Sequence, residues 1–131
     1  MRIIIGGAGR VGTELARALR AEEMDVVLVD SDSRAVKNAQ NLDVLVIHGD
    51  LTTREKLNEA GIGEAEVFVA ATNSDERNLL ACALAEHAHY QYAGSKAKPL
   101  LSISRVRNLN YLDEQRPVSY THLRAHETFF D

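Results

Sequence analysis

A chain of 131 residues with 45% hydrophobic composition has room for one domain with a genuine core. Fifteen Lys and Arg against nineteen Asp and Glu leave a formal charge of −4, which excludes the basic footprint of a nucleic-acid binder. A single cysteine, Cys82, excludes an internal disulfide, and no uninterrupted apolar run, residues 67–71 included, is long enough to cross a bilayer.

Short β-branched runs alternate with helical patterns from the start. Residues 3–5 read as a strand, and residues 10–21 as a helix with Val11, Leu15 and Leu19 on one face. Residues 26–29 form the next strand, followed by a helix that Ser33 is placed to cap. A third strand covers residues 44–47; Thr52 and Glu55 then have capping-box spacing before a short helix that stops at Gly61. Residues 67–71 are the fourth strand, and Thr72 with Asp75 repeats the capping-box form ahead of a helix carrying Leu80, Ala83 and Leu84. Cys82 sits among apolar residues there, as a small core side chain does. A polar loop with Gly94, Ser95 and Pro99 leads to a fifth strand at residues 100–103. Strands apolar on both faces, alternating with helices, predict an α/β fold: a Rossmann-type doubly wound parallel sheet with right-handed crossovers.

Beyond Asn108 the pattern fades. A helix around Tyr111 and a sixth strand are due, yet "PVSYTHLRAHETFFD" offers only Val118 and Tyr120 before polar residues take over. The expected organisation is a nucleotide-binding domain over residues 1–116, truncated before or at its sixth strand. Residues 117–131 read as an atypical, non-native tail that leaves the fifth strand's outer edge unpaired.

Gly7-Ala8-Gly9-Arg10-Val11-Gly12 fits G-x-G-x-x-G with a strand before it and a helix after it. Gly7 permits the tight turn, Gly9 lets a pyrophosphate approach the backbone, and Gly12 allows helix to pack on strand. Val11 fills the core beneath the turn. Asp30, 18 residues after Gly12, is placed to accept hydrogen bonds from an adenosine ribose and to repel a 2′-phosphate, which favours NAD over NADP. Asp32 reads as solvated. No lysine follows the last glycine, so a Walker-type NTPase loop is excluded. Three further features lie at strand ends: Asp50 near the adenine position, Thr72-Asn73 beside the reversal of strand order, and Arg105 within reach of a phosphate. Asp50 and Asn73 also suit plain turns, and Arg105 a surface charge.

The blocks "MRIIIGGAGRVGTELARAL", "VVLVDSDSRAV", "GDLTTREKLNEAGI", "VFVAATNSDERNLLACALA" and "SRVRNLNYL" resemble the KTN or RCK nucleotide-sensing domain of Trk-type potassium-uptake regulators, over about residues 1–115. The resemblance implies a Rossmann domain that binds NAD or NADH, and in some members ATP or ADP. It also implies a homodimer or larger homo-oligomer, held in the cytoplasm against a membrane potassium channel or transporter without inserting into lipid. By position it implies that Gly7, Ala8, Gly9, Arg10 and Val11 form the pyrophosphate loop, that Asp30 is the ribose acid, and that Thr72 and Asn73 face the cofactor. Arg105 matches the basic residue near the phosphates, and Asp50 the adenine-side block.

Catalytic signals are weak by comparison. Tyr92 and Lys96 have the Tyr-x-x-x-Lys spacing of short-chain dehydrogenases, but Gly94 and Ser95 oppose the helical turn that chemistry needs. His87 and His89, two apart, point in different directions on a helix and cannot share a metal. The expected function is a non-enzymatic nucleotide sensor; the alternative is the cofactor half of a small NAD-dependent dehydrogenase.

Overall fold

A computed structural model describes residues 1–108, 110 and 127–130. In chain order these form β1 (Arg2–Gly6), α1 (Arg10–Ala21), β2 (Asp25–Asp30), α2 (Ser33–Ala39), β3 (Leu45–His48) and α3 (Arg54–Glu59). A 3-10 turn (Ile62–Glu64), β4 (Val67–Ala70), α4 (Asp75–Ala93), β5 (Leu101–Val106) and β6 (Glu127–Phe130) follow. The strands lie in the order β3-β2-β1-β4-β5-β6, and every pairing is parallel. This is the doubly wound sheet that the alternating pattern predicts.

Alternation within each strand sorts the core into two layers. Ile3, Ile5, Val26, Leu28 and Val69 face α1 and α2, where Val11, Leu15 and Leu19 pack against them. Ile4, Val27, Val29, Phe68 and Ala70 face the other side, under α3 and α4. Burial of each large side chain there, Ile4, Val27, Val29 and Phe68, contributes about 1.5–3 kcal/mol of transfer free energy. α4 meets the sheet through small residues, Ala81, Cys82, Ala85 and Ala88, so helix and strands approach closely. Leu80 and Ala83, which the pattern placed on this helix as apolar positions, face solvent instead. Among the described residues no helix is long and apolar enough to cross a membrane.

Three helix starts differ from the sequence expectation by one or two residues. Asp32 caps α2 through the Arg34 N–H, Thr53 caps α3 through the Lys56 N–H, and Ser74 caps α4 through the Arg77 N–H. Two of the expected caps are engaged elsewhere: the Thr52 hydroxyl donates to Asp50, and the Thr72 hydroxyl donates to Asn78. A side chain committed to a turn cannot also close a helix.

The outer edge of β5 is also a correction. It is paired by β6, with Ile103 opposite Glu127 and Val106 opposite Phe130, so the segment set aside as a tail supplies a strand. Thr128, Phe129 and Phe130 are strand-favouring residues, but a run this short gives no usable period. The expected helix around Tyr111, together with Val118 and Tyr120, lies outside the described residues.

Candidate functional site

The turn from β1 to α1 is built on glycine for three different reasons. Gly7 has φ +114°, and a Cβ there would press on the Ala71 backbone at 2.9 Å. Its N–H donates to the Val29 carbonyl (2.8 Å), tying the loop to β2. A Cβ on Gly12 would collide with the Gly7 carbonyl, so α1 can lie against the turn only with glycine at that point. Gly9 differs: a Cβ there would meet nothing within 4 Å, because the position opens into space. Asp30 fixes this wall. Its Oδ2 accepts the Ala8 N–H (2.7 Å) and its Oδ1 the Asp32 N–H (2.8 Å).

The facing wall is made by side chains. Asn78, fully buried in α4, accepts the Thr72 N–H and hydroxyl at 2.9 and 2.6 Å through Oδ1. Its Nδ2 donates to the Thr72 and Arg105 carbonyls at 3.1 and 3.0 Å, which clamps the ends of β4 and β5 together. Asp75, also buried, accepts the Arg107 and Asn108 N–H groups as the chain leaves β5. Arg105 is no surface charge. It is 7% exposed, and its Nη1 donates to the Thr72 carbonyl (3.3 Å) and Asn73 Oδ1 (3.2 Å).

Between the walls lies a cleft of about 550 Å³ over the carboxyl ends of the strands. Gly7, Gly9, Arg10, Val11 and Asp30 line one side, and Thr72, Asn73 and Arg105 the other. Eight of the residues singled out by sequence therefore share one cavity, at the place where open α/β sheets take ligands. Two do not line it. Ala8 turns its methyl into the core and contributes its N–H to Asp30. Asp50 lies outside the lining and is occupied: the Thr52 N–H and hydroxyl and Arg77 Nη2 all donate to its Oδ1. The Thr52 hydroxyl and N–H, with the Arg77 guanidinium, hold this carboxyl below the ordinary carboxylate range.

Sequence reasoning missed Arg77, Leu51 and Ser31 in the lining, and Asn78 and Asp75 behind it. Asp32, read as solvated, lines the cleft and caps α2. Only the capping spacing at Asp75 gave any hint.

The catalytic alternatives find no geometry here. Tyr92 ends α4 and its hydroxyl donates to Glu64 Oε1 (3.1 Å), at the strand ends opposite the cleft. That carboxylate pushes the phenol up from its ordinary value, whereas an activated tyrosine needs the reverse. Gly94 stops the helix before Lys96. His87 is exposed and His89 buried, and among the described residues no three His, Cys, Asp or Glu side chains are grouped to hold a metal.

The chain is similar to a Trk system potassium uptake protein TrkA homolog of Methanothermobacter thermautotrophicus, 38% identical over 97% of the chain and 55% of the relative. It is similar also to Trk system potassium uptake protein TrkA of Haemophilus influenzae, 38% identical over 88% of the chain and 24% of the relative. The chain thus spans about a quarter to a half of these relatives' length. Among solved structures it superposes on the Shewanella denitrificans Kef CTD in AMP-bound form, with TM-score 0.70, 22% identity, and 100% of this chain on 72% of that one. It superposes likewise on the GsuK channel bound to NAD, with TM-score 0.69, 18% identity, and 90% of this chain on 20% of that one. Residues 3–117 match the TrkA-N domain model. With the glycine turn, the acid at the end of β2 and the parallel sheet in place, the chain belongs to the TrkA-N domain family.

Proposed function

We propose that the cleft binds NAD or NADH, with ATP and ADP as alternative ligands, and that occupancy regulates a potassium channel or transporter. One observation carries the reading: the open glycine at position 9 and the Asp30 carboxylate line the same cavity. The N-terminus of α1 offers amide hydrogens and the positive end of a helix dipole to a pyrophosphate. Asp30 offers acceptors to ribose hydroxyls. Two structural neighbours, one bound to NAD and one to AMP, are in keeping with this class of ligand.

The regulatory part of the proposal draws on the names of the two relatives, both potassium uptake proteins. In this reading the chain works as a homodimer or larger assembly on the cytoplasmic side, reaching the membrane through its partner. A nucleotide shifts the arrangement of the assembled domains only as far as it prefers one arrangement over another. Calorimetric titration of NAD, NADH, NADP, ATP and ADP tests the first step, with micromolar binding of NAD or NADH expected. Scattering with and without NADH tests the second. Failure of all five nucleotides to bind would overturn the proposal.

A further inference from the structure

Arg77 belongs to no block that the glycine motif requires, yet it stands in the cleft lining. It rises from the first turn of α4, on the wall facing Asp30 and Asp32, and its Nη2 donates to Asp50 Oδ1 at 2.7 Å. We propose that Arg77 binds the second phosphate of a nucleoside diphosphate group in this cleft, and that Asp50 competes with that phosphate for its guanidinium. The inference rests on the nucleotide reading above and names the residue that distinguishes ligands within it.

Three observations carry it. The bridge is exposed at both ends, 45% for Arg77 and 42% for Asp50, and ion pairs this open to water hold weakly. The carboxylate keeps the Thr52 N–H and hydroxyl when the guanidinium leaves, so parting the bridge strands no charge. The cleft lining also carries both signs of charge. Asp30 and Asp32 stand at and just after the end of β2, Arg105 comes from β5, and Arg77 reaches in from α4. Arg105 is buried against Thr72 and Asn73, whereas Arg77 has a long exposed side chain that can swing. Arginine suits such an exchange, since its planar fork takes phosphate and carboxylate with the same geometry.

The test is titration of AMP, ADP and NAD into the parent chain, Arg77→Ala and Asp50→Asn. Arg77→Ala is expected to weaken ADP and NAD about tenfold while changing AMP less than about threefold, as loss of one charge-assisted contact requires. Asp50→Asn still accepts from Thr52 but no longer neutralises Arg77, so ADP should gain on AMP. Thermal melts confirm that both variants fold. Arg77→Ala weakening all three ligands alike, or none, overturns the inference and leaves the nucleotide reading standing. A parent chain that binds none of the three removes both.

Discussion

The two walls of the cleft are made by different means. The β1–α1 wall is backbone: glycines at 7, 9 and 12 clear space, and one carboxylate ties the loop to β2. The α4–β5 wall is side chain: one buried amide and one buried carboxylate hold the ends of two strands and the segment leaving them. A backbone wall tolerates change wherever an added atom points into the cleft. A wall of buried polar groups tolerates almost none, since a lost partner leaves a desolvated donor or acceptor behind.

The sharpest test of that contrast is Asn78→Leu. It removes four hydrogen bonds at once from a fully buried position and should cost about 3 kcal/mol or more in urea unfolding. A loss under about 1 kcal/mol would mean that the second wall is held by packing alone. Gly9→Val is the complementary change. Its branched side chain points where nothing stands within 4 Å, so stability should stay within about 1 kcal/mol of the parent. NAD binding, in contrast, should fall about a hundredfold as the side chain occupies the pyrophosphate position. Native affinity in the folded variant would place the phosphates elsewhere.

Asp30→Ala should act on both properties to a smaller degree. It frees the Ala8 and Asp32 N–H groups and removes the ribose acceptors, so NAD affinity should drop about tenfold. Its preference over NADP should narrow as well, and unchanged discrimination in calorimetry would contradict the ribose role. The last effect is absent at neutral pH and belongs to the core behind α4. Burial, reinforced by Glu86, pushes the Cys82 thiol up to about 12 from an ordinary 9.0. The unfolded thiol ionises first as pH rises, so the stability linked to Cys82 falls between about 9 and about 12. Unfolding curves of the parent and Cys82→Ala across that range should diverge, with the steeper loss in the parent.

How much of the site was legible follows from the same contrast. Glycine spacing is a direct record of backbone geometry, and an acid at a strand end is readable once the strand is known. Gly7, Gly9, Asp30, Thr72 and Arg105, all named from the sequence, line one cavity. Asn78 was not, because a buried asparagine and a solvated one look alike in a helical pattern; only its contacts with Thr72 and Arg105 distinguish them. Asp50 shows the opposite limit. Its position after β3 suggested a ligand contact, but Thr52 and Arg77 are near enough in space to claim it first. β6 escaped because its pairing depends on an edge made by distant residues, not on its own four.

The place of β1 at the centre of the sheet bears on the order in which the chain folds. It pairs with β2 across one helix, but with β4 only after two more helices, β3 and a 3-10 turn have been passed, setting Ile3 beside Val67. Loop-closure entropy makes the second pairing the slower one to find. The glycine turn can form early, while Thr72 and Arg105 reach the cleft only when the long closure is complete. A ligand that touches both walls therefore selects chains that have finished folding. At a hundredfold excess over its Kd it would add about 2.7 kcal/mol to their stability.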